Sequence, residues 1–215
     1  MLPHRHLARI TDICELPPMR RSSNWNGIDI AYLDRDGVLN IGSENYINTV
    51  SELVVLPGSG DAVASIRKSG FRICIVTNQS PIGRGLWSHD RLAEINSALQ
   101  EELLSQNPDA YLDLILYSPY APWDNAWSRK GNPGMLQVGR QILDAANKEI
   151  RIDKFDYGPN YKSVAEGNSF MVGDRIADME AGISFGIRTF RCDPNVGISD
   201  VLSRVLNFDD RGDNI

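Results

Sequence analysis

Tyr32-Leu33-Asp34-Arg35-Asp36-Gly37-Val38-Leu39-Asn40 puts two carboxylates where an apolar run ends and a glycine turn begins. The lead-in, Ile28-Asp29-Ile30-Ala31-Tyr32-Leu33, is short, mostly apolar and rich in β-formers, the pattern of a strand covered on both faces in a parallel sheet. Asp34 therefore falls at the carboxyl end of that strand, and ligands of open α/β sheets bind in the crevice beyond the strand ends. Side chains two apart share one side of an extended chain, so Asp34 and Asp36 can converge on one phosphate and one cation. Gly37 lets the backbone turn away without a Cβ in the crevice. An isolated Asp-x-Asp-Gly reads as a solvated turn. This one is set apart by three further polar clusters, each at the end of its own apolar run.

Outward from this stretch, strand and helix signals alternate. Pro57 to Ser69 reads as a helix closed by Gly70, and Phe71 to Val76 as the second buried strand. Ser88 to Ser105 places Leu92, Ile95, Leu99 and Leu103 on one helical face behind Ser88 as N-cap. A third strand is expected at Leu112 to Tyr117, a helix at Pro133 to Ile150, a strand at Ser169 to Val172, a helix at Ile176 to Phe185 and a fifth strand at Ile187 to Cys192. Such alternation implies right-handed crossovers and an α/β fold, a doubly wound parallel sheet. Residues 28–206 form the expected domain. Residues 1–27 read as an N-terminal extension, solvated and poorly ordered, with one short helical turn around Leu7 to Leu16, and residues 207–215 as a polar tail.

The 215 residues suffice for one well-buried core. A net charge of −6 and a sequence pI near 5.1 give no basic stripe for nucleic acid. Small anionic substrates stay open, because local positive charge can outweigh the global balance. Cys14, Cys74 and Cys192 are odd in number and widely spaced, as in a reduced cytoplasmic protein. No stretch approaches the ~20 apolar residues that span a bilayer, so no membrane partner is expected. Met19-Arg20-Arg21-Ser22-Ser23 resembles a twin-arginine signal, but no apolar region follows and export is not expected.

The three other clusters supply the parts of one site. The second strand ends in Thr77-Asn78-Gln79-Ser80, hydroxyl and amide groups suited to phosphate oxygens, followed by the flexible, basic Gly83-Arg84-Gly85. Ser128-Arg129-Lys130-Gly131-Asn132-Pro133 sets two cations just before a helix N-terminus, which itself favours an anion. The fourth strand ends in Gly173-Asp174-Arg175-Ile176-Ala177-Asp178, adding a third carboxylate. Carboxylates at strand ends suit a hard, oxygen-seeking cation such as Mg²⁺. Each cluster alone is weak; their order along one α/β chain is specific.

Together they resemble the four motifs of the haloacid dehalogenase (HAD) superfamily of phosphatases over about residues 28–193, and more closely the D-glycero-D-manno-heptose-1,7-bisphosphate phosphatase and histidinol-phosphate phosphatase group. The closer resemblance lies in Leu33 to Asn40, Val76 to Gly85, Arg129 to Met135 and Met171 to Asp174. It implies a capless HAD-like Rossmannoid fold and two-step hydrolysis of a phosphomonoester. In that scheme Asp34 is the nucleophile that becomes an aspartyl-phosphate, and Asp36 is the acid and then the base. Thr77, Asn78 and Lys130 would hold the phosphoryl oxygens. Mg²⁺ would be bound by Asp34, the Asp36 carbonyl and Asp174, and Ser43, Tyr46, Gln79, Ser80, Arg84 and Arg129 would recognise the rest of the substrate.

The sequence departs from the heptose group in one respect. Where that group carries the Cys and His ligands of a structural zinc, this chain has Ser118, Tyr120, Ala126 and Ser128, so no structural Zn²⁺ is expected. Pro119, Pro122, Trp123 and Trp127 are the candidates to pack the loop instead, with stacking on a sugar as the alternative role of the aromatics. The intervals between motifs leave no room for a cap domain, so the site should be open, with specificity supplied by loops or by a neighbouring copy in a homo-oligomer. The leading reading is a Mg²⁺-dependent sugar-phosphate phosphatase acting on a heptose (bis)phosphate. Histidinol phosphate or another small metabolite is the alternative substrate. A non-catalytic phosphate-binding or receiver-like module is the remote alternative, disfavoured by the intact Asp34 and Asp36.

Overall fold

The computed structural model describes residues 1–19 and 25–215, so most of the twin-arginine-like stretch lies outside the described residues. In chain order the elements are β1 (His4–Arg5), β2 (Ile30–Leu33), α1 (Ser59–Lys68), β3 (Arg72–Asn78), α2 (His89–Gln106), β4 (Leu114–Ser118), α3 (Gly134–Asn147), β5 (Phe170–Gly173), α4 (Ile176–Phe185), β6 (Arg188–Arg191) and α5 (Ile198–Val205). The sheet order is β1-β4-β3-β2-β5-β6, parallel throughout except for the antiparallel β1.

The alternating side chains of β2 explain the two-faced core. Ala31 and Leu33 pack with α1, α2 and α5 through Val63, Ile66, Leu99, Leu103 and Val201. Ile30 and Tyr32 pack on the other face with α3 and α4 through Leu136, Val138, Ile142 and Phe185. All four β2 residues are buried, as expected of a strand covered on both sides. The chain reverses sheet direction at β2, with β3 and β4 on one side and β5 and β6 on the other, so the crevice beyond β2 is the topological switch point.

The expected Leu92, Ile95, Leu99 and Leu103 stripe is fully buried, and Ser88 Oγ caps α2 by accepting from the Arg91 N–H at 3.1 Å. The helix expected to reach Ile150 ends at Asn147, because Glu149 adopts a φ of 54° and Ile150 faces solvent. Between Asp36 and Lys130 the chain holds α1, β3, α2, β4 and two single 3₁₀ turns, with no inserted domain over the strand ends.

The N-terminal segment differs from the expected solvated arm. His4 pairs with Tyr117 and Arg5 with Leu116, and the His6 N–H reaches the Ile115 carbonyl at 3.0 Å. An unpaired edge on β4 would expose a row of backbone donors and acceptors, and β1 covers it. The expected helical turn is replaced by tight turns, one closed by Arg9 and Asp12, while Cys14 is buried against the core. The tail is also tied down: Asp210 and Asp213 bind Arg204, and the Asp213 N–H donates to the Thr189 carbonyl at 2.7 Å. Helix α5 carried no expectation; its Ile198, Val201 and Val205 complete the core under β6. All three cysteines are free and buried. Among the described residues no helix is long and apolar enough to cross a membrane.

Candidate active site

A cavity of about 460 Å³ opens beyond the carboxyl ends of β2, β3 and β5. Its floor is built around Asp34, which is only 6 % exposed. The turn after β2 is closed by the Arg35 carbonyl, which accepts from the N–H groups of Val38, Leu39 and Asn40. Gly37 sits at φ 77°, and a Cβ there would lie 2.7 Å from the Asp174 carboxylate. A glycine is thus required both by conformation and by the approach of the second acidic strand end.

Lys130 Nζ contacts Asp34 at 2.5 Å and Asp178 at 2.7 Å, and all three side chains are buried. Carboxylate oxygens of Asp34, Asp174 and Asp178 lie within 4.8 Å of one another. Burial pushes the Asp34 carboxyl above its usual range, with Lys130 pulling against it and Asp178 and Asp36 adding to the rise. The Asp174 carboxyl is raised as well, by burial and then by Asp34. Burial opposes the charge on Lys130, but Asp178 and Asp34 outweigh it and hold the ammonium above its ordinary value. Acid exceeds base here, and Asp174 Oδ1 is buried without a hydrogen-bond partner among the described residues. An all-oxygen set with an orphaned acceptor fits a hard divalent cation.

Asp36 lies in a different environment. Its carboxylate accepts from Arg35 Nη2 and Nε, from Asn40 Nδ2 at 2.9 Å and from Gln79 Nε2 at 3.1 Å. Burial pushes this carboxyl up, yet Arg35, Asn40 and Gln79 together hold it below the usual range. The side chain therefore lines the cavity from within a cradle of donors, while its charge still adds to the rise at Asp34.

The other expected site residues divide by location. Thr77 is buried beside Asp34, with its Oγ1 accepting from Gln79 Nε2 at 3.0 Å. Gln79, expected on the substrate, spends its amide on Asp36 and Thr77 because it is 2 % exposed and braces both. Asn78, expected on phosphate, is occupied with the Lys130 backbone: its Oδ1 accepts from the Lys130 N–H at 2.9 Å, fixing the loop that carries the lysine. Ser43, Tyr46, Ser80, Arg84 and Arg129 all line the cavity. Arg84 donates to Tyr46 Oη at 2.8 Å and lies over the Trp123 ring at 5.4 Å, and Tyr46 holds a φ of 65° that a bulky side chain rarely adopts. Arg129 donates to the Tyr120 carbonyl at 3.0 Å.

In the loop from Pro119 to Lys130, Pro119 is buried and Trp127 anchors to Gln137 Oε1 at 3.0 Å, while Tyr120 donates to the Leu2 carbonyl at 2.9 Å. Pro122 and Trp123 do not pack the loop. They are exposed on the cavity rim, because the 3₁₀ turn at Pro122–Asp124 projects outward under the cap of Asp124 on the Ala121 N–H. Asp178 and Arg175 carried no individual expectation, and both line the cavity together with Trp123, expected in loop packing, and Glu44, which lies in the segment expected on the substrate. Asp178 had a signal in the Asp174-x-x-x-Asp178 spacing, which places it in the first turn of α4; Arg175 had none.

No protein-family model matches the chain. It is 33% identical over 163 residues to the D-glycero-beta-D-manno-heptose-1,7-bisphosphate 7-phosphatase of Pseudomonas aeruginosa, covering 75% of this chain and 76% of that one. It is 35% identical over 154 residues to the protein of the same name from Pseudomonas putida, covering 72% and 76%. Among solved structures, the D,D-heptose 1,7-bisphosphate phosphatase of B. bronchiseptica, complexed with magnesium and phosphate, superposes with a TM-score of 0.64 at 25% identity over 82% of this chain and 87% of that one. A HAD-like structure from Mesorhizobium loti shares the fold across 98% of this chain and 99% of its own, at TM-score 0.66 and 24% identity. With the four motifs of the sequence gathered at one topological switch point, these similarities show that the chain belongs to the HAD superfamily, as a phosphatase of the D-glycero-D-manno-heptose-1,7-bisphosphate 7-phosphatase group.

Proposed function

We propose that this protein is a Mg²⁺-dependent phosphatase of a heptose (bis)phosphate that works through an aspartyl-phosphate. The observation that carries the reading is Lys130 held between the buried Asp34 and Asp178, with Asp174 within 4.8 Å of both, at the floor of a cavity rimmed by Arg84, Arg129 and Arg175. In the first step an Asp34 oxygen attacks phosphorus and the P–O ester bond breaks, while Asp36 gives a proton to the leaving alkoxide. In the second, Asp36 takes a proton from water, which attacks the same phosphorus and releases Asp34 and inorganic phosphate. Lys130 and the Thr77 hydroxyl bind the equatorial oxygens, where charge is spread in the transition state. Asp34, Asp174 and the Asp36 carbonyl would hold the metal, which when bound offsets repulsion between the phosphate dianion and Asp34.

The cavity also bears on substrate choice. Among the described residues the outer rim carries Arg84, Arg129 and Arg175 against the single acid Glu44, so a second phosphate is favoured there over the cationic amine of histidinol phosphate. The exposed Trp123, 67 % accessible, offers a flat apolar surface to a sugar ring. Purified protein should lose activity in a chelator and regain it with Mg²⁺, and kcat/KM should be highest for heptose 1,7-bisphosphate among that compound, heptose 7-phosphate and histidinol phosphate. A preference for the amino alcohol would refute the substrate and leave the chemistry standing; failure to turn over any phosphomonoester would refute both.

A further inference from the structure

Helix α2 turns an apolar stripe of Leu92, Ile95, Leu99 and Leu103 toward the core, and among them stands Asn96, 1 % exposed. Its Oδ1 accepts from Arg35 Nη1 at 3.1 Å, while its Nδ2 has no hydrogen-bond partner among the described residues. Arg35 is itself fully buried, an unusual place for a guanidinium, whose charge is costly to keep out of water unless its hydrogen bonds are met. Apolar packing would be better served by Leu at 96. What this pair does instead is reach the cavity from behind: Arg35 grips the Asp36 carboxylate through Nη2 at 2.9 and 3.0 Å and through Nε at 3.2 Å.

We propose that Arg35 and Asn96 are positioning residues for the reaction, with Asn96 fixing the Arg35 guanidinium so that its fork presents the Asp36 carboxylate to the leaving-group oxygen and to water. The geometry supports this in two ways. The Asp36 side chain is 25% exposed on its cavity side, whereas Arg35 is 1% exposed behind it, so the fork fixes orientation without occupying substrate space. Planar, two-point contact restricts rotation of a carboxylate in a way that a single point charge does not. Asn40 and Gln79 close the remaining sides, but each offers one donor; Arg35 alone contacts both oxygens.

This inference rests on the reading of Asp36 as acid and base, and the test separates the two. Asn96→Leu completes the apolar stripe and removes the acceptor that orients Arg35. With Mg²⁺ present, kcat for heptose 1,7-bisphosphate, whose alkoxide must be protonated, should fall about ten-fold or more, while kcat for 4-nitrophenyl phosphate, whose leaving group needs little protonation, should fall less than about three-fold. KM should stay within about two-fold for both, and the thermal midpoint should hold. Arg35→Lys, which keeps the charge and loses the fork, should show the same bias and serves as the second variant should Asn96→Leu fold poorly. Asp36→Asn, measured alongside, should show the bias in larger measure. If Asp36→Asn is biased and Asn96→Leu and Arg35→Lys are not, the positioning role is overturned and Asp36 keeps its own. Equal losses on both substrates in Asp36→Asn overturn the acid and base reading, and with it this inference.

Discussion

Two buried ionic clusters lie at opposite edges of the same parallel sheet, one at the strands' amino ends and one at their carboxyl ends. At the amino end, Asp113 is held by Arg67 and by Arg72 at 2.9 Å, and also accepts from the Ile73 N–H at 2.8 Å. At the carboxyl end, Asp34 and Asp178 share Lys130, Asp174 lies within 4.8 Å of both, and an Asp174 oxygen is left without a partner among the described residues. Both clusters are withdrawn from water, but only in the first does every carboxylate oxygen have a donor. A buried carboxylate with both oxygens met and cation in excess is suited to holding structure together. Three carboxylates with one ammonium held between two of them, and an unmet oxygen on the third, store unfavourable electrostatics that a bound cation would relieve.

The largest expected effect falls on the carboxyl end. Asp34→Asn should lower kcat by about 10⁴-fold or more, since it removes the proposed nucleophile but not its volume, while the thermal midpoint holds or rises. Activity within an order of magnitude of wild type would break the assignment. The mirror experiment is Asp113→Ala, which strands two buried guanidinium groups. It should cost about 3–5 kcal/mol, a drop in Tm of roughly 6–20 °C, with kcat/KM of the remaining folded protein unchanged. Loss of activity without loss of stability would erase the distinction between the clusters.

Metal sharpens the same contrast. Mg²⁺ at about 100 times its Kd should stabilise the protein by about 2.7 kcal/mol, raising Tm by roughly 5–10 °C, and Asp174→Asn should remove most of that rise. In chelator the sign reverses. The folded-state value of Asp174 is raised above the ordinary 3.8, so its contribution to stability is present below that value and is lost as pH rises through the folded value. Asp174→Asn should therefore stabilise metal-free protein at neutral pH, and the gain should vanish below about pH 4. Melting curves at several pH values check both halves. The smallest effect belongs to the rim: Arg84→Ala should raise KM for heptose 1,7-bisphosphate about five-fold, near 1 kcal/mol, and leave that for an aryl phosphate almost unchanged.

The site was legible where chemistry and local structure coincide. Asp34, Thr77, Lys130 and Asp174 each follow an apolar run that codes for a buried strand or precede a helix start, so their place at strand ends could be read from order alone. Asn78 and Gln79 were legible as polar groups near phosphate but not as braces, because a side-chain amide chooses its partners from whatever the fold brings near, here the Lys130 backbone for one and Asp36 with Thr77 for the other. Trp123 and Trp127 look alike in sequence; one lies on the cavity rim and the other anchors on Gln137, four residues apart in one loop.

By itself the sequence determined the parallel α/β sheet, the helix faces that cover it and the four motif positions, because burial on both sides of a strand and on one side of a helix writes a periodic pattern into the chain. Only the tertiary structure decided that His4, Arg5 and His6 close the edge of β4, that Asp178 joins Asp34 and Asp174, and that Asn96 stands behind Arg35 and Asp36. Each of these joins segments far apart in the chain through one or two side-chain or backbone contacts. Contacts of that kind leave no period to read, and they exist only once the sheet order has set which strand ends are neighbours.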